Sequence, residues 1–252
     1  LFFGVTVNAA MGIANQVQSA VYSFVGNFQT AFNPQIVKSY ASGDRGYFID
    51  LIMRTSKYSY FLLFVISFPL YLCCEEVLSL WLGEVPAHTV SFCRLMILFS
   101  LLDALQGPLW VSVQATGKIR DYQILMSVII LANLPISYLF LRMGYVPEVV
   151  LTIRCLLNFL ILFFRLWYLR RLYGFPVWRY LQEVVGRVIM VTAVVYPIVY
   201  LPLGTIGFAW KIILLGIISF LMDGLAMYYL GLDYKERKLL MTQLNKIYEK
   251  YK

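Results

Sequence analysis

Val149-Val150-Leu151-Thr152-Ile153-Arg154-Cys155-Leu156-Leu157-Asn158-Phe159-Leu160-Ile161-Leu162-Phe163-Phe164-Arg165-Leu166-Trp167-Tyr168 decides the fold. A helix of this length rises about 30 Å, the thickness of a bilayer's hydrocarbon core. Only Thr152, Arg154, Asn158 and Arg165 interrupt the apolar run, and the last three share one face at 3.6 residues per turn. Similar runs recur on both sides of it: Ile13–Val37, Tyr58–Trp81, Val90–Gln114, Ile124–Leu141, Val184–Leu203 and Phe208–Leu230. Hydrophobic residues make up 61% of the 252-residue chain and charged residues 13%, a balance that a soluble core does not explain. The expectation is an all-α polytopic membrane protein, with about seven transmembrane helices forming one bundle over residues 1–231. Gly and Pro punctuate the connections at Gly83/Pro86, Gly117, Gly144/Pro147, Gly174/Pro176 and Pro202/Gly204.

Charge sets the orientation. If the chain weaves, all but four of its 21 Lys and Arg residues fall on one side, the exceptions being Arg94, Arg142, Arg154 and Lys211. The basic side is cytoplasmic by the positive-inside rule, and the C-terminus lies there. Arg54 and Lys57 belong to this set, and Lys57 reads as a topology residue alone. The net charge of +8 therefore calls for anionic lipid headgroups rather than nucleic acid. Residues 232–252 form a basic tail in which Leu239, Leu240, Leu244, Ile247 and Tyr251 recur at helical spacing. That pattern fits a helix lying on the cytoplasmic membrane surface, or a solvated tail. The start, Leu1-Phe2-Phe3-Gly4, reads as the end of an apolar run, as in the second half of a longer protein cut within a preceding helix.

Several chemistries find no support. Cys73, Cys74, Cys93 and Cys155 lack metal-ligand spacing, and His88 is the one histidine. There is no nucleophile elbow, phosphate-cradling loop or acidic metal cluster. The expectation is a protein that is not an enzyme and needs no metal or other cofactor.

Polar residues inside the runs carry the remaining information. On the first run Gln16, Ser19, Ser23, Asn27 and Thr30 form a stripe that continues to Pro34 and Lys38. Such a stripe fits interhelical hydrogen bonding or the wall of a water-filled cavity; its length and charged end favour the cavity. Asp103 lies mid-run with Gln106, Trp110 and Gln114 on its face, and Pro108 follows, where a helix break would free carbonyls. Asn133 and Ser137 pair at i, i+4, and Asp223 is a further intramembrane acid. For Asp103 a structural ion pair, and for Arg154 interfacial snorkelling, remain open beside a cavity role. The candidate cavity residues are Gln16, Ser23, Asn27, Lys38, Asp103, Gln106, Trp110, Arg154 and Asn158. Cations and amides together suit an anionic, hydroxyl-rich cargo.

The stretches Val7-Asn8-Ala9-Ala10-Met11-Gly12-Ile13-Ala14-Asn15-Gln16-Val17, Phe24-Val25-Gly26-Asn27-Phe28 and Asn33-Pro34-Gln35-Ile36-Val37-Lys38-Ser39-Tyr40-Ala41-Ser42-Gly43-Asp44 resemble the bacterial polysaccharide flippases. These belong to the multidrug/oligosaccharidyl-lipid/polysaccharide exporter superfamily. Leu80-Trp81-Leu82-Gly83, Ala115-Thr116-Gly117-Lys118-Ile119 and Pro135-Ile136-Ser137-Tyr138-Leu139-Phe140 look like the same family. The resemblance implies a protein of about twice this length with 14 spans, in which two bundles face a central cavity and this chain is the C-terminal one. It implies flipping of an undecaprenyl-pyrophosphate-linked oligosaccharide across the bacterial inner membrane by alternating access. The implied partners are that lipid-linked substrate, the N-terminal bundle, membrane lipids and polysaccharide assembly proteins. Lys38 is carried from the matched motif as a pyrophosphate contact, whereas Asp103 and Arg154 come from the residue reading alone. A drug exporter of the related branch would share the fold, and a membrane glycan polymerase or ligase would need larger outside loops than Glu84–His88 and Gly144–Pro147.

Overall fold

Ten α-helices, with no strand among the described residues, build the computed structural model, which describes residues 3–200, 208–234, 236–238 and 241–242. The turn at Pro202 and Gly204, the side chain of Lys211, and the tail positions Leu239, Leu240, Leu244, Ile247 and Tyr251 lie outside the described residues.

Helix α1 (Val5–Ala41) is continuous over 37 residues, about 55 Å by its rise. Gly43, at φ 78, turns the chain over. Asp44 then caps α2 (Arg45–Leu72), its carboxylate accepting from the Tyr47 amide at 3.0 Å. A bend of 74° at Cys73 leads into α3 (Cys74–Leu82); Pro69, one turn earlier, lacks the amide that would keep the helix straight. Helix α4 (Thr89–Ala115) is followed by α5 (Arg120–Leu131) and α6 (Asn133–Arg142), broken at Ala132. Helix α7 (Glu148–Tyr173) ends at Gly174, left-handed at φ 66. A short α8 (Val177–Tyr180) runs through a π-helical stretch, Leu181–Gly186, into α9 (Arg187–Val195). Helix α10 (Phe208–Ala226) closes the set with a π-turn at Met227–Gly231.

Among the described residues five segments are long and apolar enough to cross a membrane: Thr89–Ala115, Arg120–Arg142, Glu148–Tyr173, Val177–Ile198 and Ile212–Gly231. Counting the bent α2–α3 pair as one span gives six. The sequence led us to expect about seven. Helix α1 makes the difference: it has the length, but Gln16, Asn27 and their neighbours dilute its apolar content. The expected Tyr58–Trp81 span is a bent pair rather than a straight crossing.

Helix α4 is the axis of the bundle, packing against α1, α2 and α7. Its most apolar stretch is 67% buried, against 11% for α5–α6. The latter, with α7, turns Ile124, Val128, Leu131, Leu139, Leu156 and Leu160 outward. An outer face this apolar suits lipid as its solvent.

Pro108 breaks the α4 hydrogen-bond ladder, as its sequence position implies, and the structure shows what covers the break. Pro108 cannot donate to Ala104, whose carbonyl instead accepts from Gln29 Nε2 of α1 at 3.0 Å. The next carbonyl, Leu105, accepts from the Tyr180 hydroxyl at 3.1 Å, and that of Gln106 from Arg165 Nη1 at 2.6 Å. Gly107 makes room for the Gln29 amide, which a Cβ there would strike. Gln29→Leu should therefore strand a buried carbonyl and lower bundle stability by about 1–3 kcal/mol. Unfolding of the purified protein in detergent measures this; unchanged stability would mean that the Gln29 bond contributes nothing.

Lys57 departs from its expected role as a topology residue alone. It is buried, and its Nζ lies 2.6 Å from Glu236 Oε2, both side chains being 4% exposed. Glu236 Oε2 also accepts from the Asp233 amide at 2.7 Å, and Arg187 pairs with Asp233. The chain after α10 is thus bound to α2 and α9 at its first turn.

Candidate functional site: an intramembrane polar cleft

A cleft of about 450 Å³ opens between α4, α5, α6 and α7. Helix α4 contributes Asp103 and Trp110, α7 contributes Arg154, Asn158 and Arg165, and the start of α6 contributes Asn133. Spacing produces the convergence. Asp103 and Trp110 stand seven residues apart on α4, and Arg154, Asn158 and Arg165 recur at four and seven on α7, so each set keeps one helix face. Asn133 reaches the cleft from the same helical run as α5, and its Oδ1 accepts the Ser137 hydroxyl at 3.1 Å.

Each polar group is held from behind. Gln106, fully buried, donates through Nε2 to the Asn158 carbonyl at 3.0 Å and to Asn158 Oδ1. It therefore fixes Asn158 from beneath rather than lining the cleft itself. The Arg154 guanidinium sits 4.0 Å from the Phe99 ring centre and donates to Met96 Sδ, and Asp103 is the acid that shares the cleft with it, beyond ion-pair distance. Arg165 lies 5.8 Å from the Tyr122 ring centre. Tyr122 stacks on Trp110 at 5.2 Å and 23°, forming an aromatic wall. Asp103 makes no ion pair within 4 Å among the described residues, and Tyr22 of α1 stands beside it. Two donors, Asn158 Nδ2 and Arg165 Nε, have no partner among the described residues. The cleft thus combines two cations, one acid, the Asn133 amide and the part-buried Trp110 ring, which Tyr122 backs from within the bundle. That inventory suits a ligand rich in acceptor oxygens.

No protein-family model, curated protein or solved structure matches this chain. A functional reading of the protein accordingly rests on the chemistry of the cleft.

Four of the nine expected cavity residues, Asp103, Trp110, Arg154 and Asn158, line the cleft, and Gln106 supports it. Gln16, Ser23, Asn27 and Lys38 do not: they stand on the exposed face of α1. The buried face of α1 is a different one, carrying Val21, Val25, Gln29 and Ile36. The stripe does not bind these helices together. Ser23 and Thr30 return their hydroxyls to the α1 carbonyls of Ala20 and Gly26, at 2.7 and 2.8 Å, while Gln16 and Asn27 stay outward. Tyr22, Tyr122 and Arg165 were not among the expected site residues. Arg165 shares the Arg154 face and was legible as such; the two tyrosines carry no sequence signal separating them from ordinary membrane aromatics.

Proposed function

We propose that the protein is one helical bundle of a transporter that translocates a lipid-linked oligosaccharide bearing pyrophosphate, with undecaprenyl as its lipid. The observation that carries this reading is the convergence of two arginines, Arg154 and Arg165, neither within 4 Å of an acid among the described residues, with Trp110 and Asn133 in one cleft at membrane depth. Cations held in a low-dielectric site attract phosphate strongly, the Asn133 amide suits a sugar hydroxyl, and the Trp110 face suits a sugar ring. Flanking apolar helices keep the lipid portion in the bilayer. The work is translocation by alternating access, and the site supplies binding rather than catalysis.

The exposed stripe of α1 fits this arrangement when a second bundle of similar kind stands opposite, so that Gln16, Asn27 and Lys38 face the shared cavity. The protein then resides in the bacterial inner membrane with its basic side cytoplasmic. Surface polysaccharide in exporter-deficient cells expressing the protein together with the bundle that stands opposite it tests the reading. Arg154→Ala should cut export about tenfold or more at unchanged membrane abundance, since one charge-assisted bond is worth about 1.5–3 kcal/mol. Lys38→Ala should cut it as well, and Lys38→Arg less so. Normal export by Arg154→Ala would remove the cleft from the transport path.

A further inference from the structure

Away from the cleft, α10 buries a carboxyl group that nothing so far uses. Asp223 is fully buried, and neither of its oxygens has a hydrogen-bond partner among the described residues. It lies on the inward face of α10 with Leu215, Ser219 and Ala226, packed against α2 and α9.

The nearby donors are committed elsewhere. Ser219, one turn earlier, gives its single hydroxyl proton to the Leu215 carbonyl at 2.6 Å, with the Gly216 carbonyl at 3.1 Å. Thr192 of α9 gives its proton to the Val188 carbonyl at 2.8 Å. The Tyr60 hydroxyl of α2, 2.9 Å from Thr192 Oγ1, must then be the donor in that contact. The charged groups on the packed elements are occupied or lie elsewhere: Arg45 of α2 reaches the Tyr173 carbonyl, Asp50 pairs with Arg179, and Arg54 lines a separate pocket with Asp50, Arg179 and Glu183. Lys57 of α2 is bound to Glu236, and Arg187 of α9 to Asp233. From α3, which also meets α10, come only the acids Glu75 and Glu76.

An ionised carboxylate without cation or donor is very costly in such a place, and the usual outcome is that it carries a proton instead. We infer that Asp223 is a reversible proton-binding site: neutral while α10 is seated on α2 and α9, and ionised only when that packing opens to water. Proton release and the unseating of α10 are then one event, which makes the seating of α10 sensitive to pH. This inference does not depend on what the Arg154–Arg165 cleft binds.

Infrared spectroscopy of the purified protein in lipid nanodiscs tests it, with Asp223→Asn as the isosteric mimic of the neutral acid. The wild type should show one protonated-carboxyl C=O band that persists at neutral pH, where exposed carboxylates are ionised, and that disappears in Asp223→Asn. Thermal stability of the wild type should fall as pH rises from mildly acidic to alkaline, and that of Asp223→Asn should stay level. Should Asp223→Asn not fold, titration of the band in the wild type alone still decides. Overturning results are a carboxylate rather than carboxyl signal lost on substitution, no protonated band in the wild type at neutral pH, or stabilisation of the wild type alone by Na⁺ at fixed pH, which would assign a metal cation instead.

Discussion

Lys57→Ala is expected to lower bundle stability by roughly 3–5 kcal/mol, the usual cost of leaving one partner of a buried ion pair unneutralised. Its Nζ is 2.6 Å from Glu236 Oε2 with both side chains almost completely enclosed, so water cannot replace the lost cation. Glu236 would keep only the Asp233 amide, and the chain after α10 would lose its hold on α2. Replacing both partners with apolar residues, Lys57→Met with Glu236→Leu, should recover most of the loss, because the desolvation penalty disappears with the charges. Unfolding in detergent of the wild type, both single variants and the double variant gives the coupling directly. A loss in the double variant equal to the sum of the two single-variant losses would mean that the pair is not energetically coupled.

Lys57 also shows where sequence reading stops. A lysine near the end of an apolar run satisfies the positive-inside rule, and nothing local distinguishes it from Arg54. Its partner lies 179 residues away, and only the packing of α10 along α2 brings the two together. Pro108 is the intermediate case. Its missing amide predicts a free carbonyl at Ala104, yet the choice of Gln29 as donor depends on the approach of α1 and on the absence of a side chain at Gly107. By contrast, Asp103, Trp110, Arg154 and Asn158 were legible, because a membrane makes every polar residue within an apolar run conspicuous and helical periodicity fixes its face. The same periodicity gathered Gln16, Asn27 and Lys38 into a stripe. It could not say whether that stripe meets α4 and α7 or turns away, since a helix face is defined only by what packs on it. The bend at Cys73 had its cause in view at Pro69, but neither its angle nor the break of Tyr58–Trp81 follows from composition.

The second large effect concerns the cleft. Arg154 and Arg165 lie on one face of α7, and neither is matched by an acid within 4 Å among the described residues. On the proposed reading, losing either would remove a charge-assisted contact to a phosphate, roughly ten- to a hundredfold in affinity. Arg165 has a second duty, covering the Gln106 carbonyl next to the Pro108 break. Arg165→Ala should therefore weaken binding and also lower stability by about 1–3 kcal/mol, whereas Arg154→Ala, bound only to Phe99 and Met96, should weaken binding with little effect on stability. That contrast separates the ligand-facing arginine from the one that also supports the helix.

Equilibrium binding of a purified polyprenyl-pyrophosphate oligosaccharide to the protein in nanodiscs is the most direct test of the cleft. The comparison is between the wild type, Arg154→Ala and the unphosphorylated polyprenyl glycan. Saturable binding to the wild type, weakened at least about tenfold by Arg154→Ala and by removal of the pyrophosphate, is the predicted result. Equal binding of the phosphorylated and unphosphorylated lipids by the wild type, unaffected by Arg154→Ala, would contradict it.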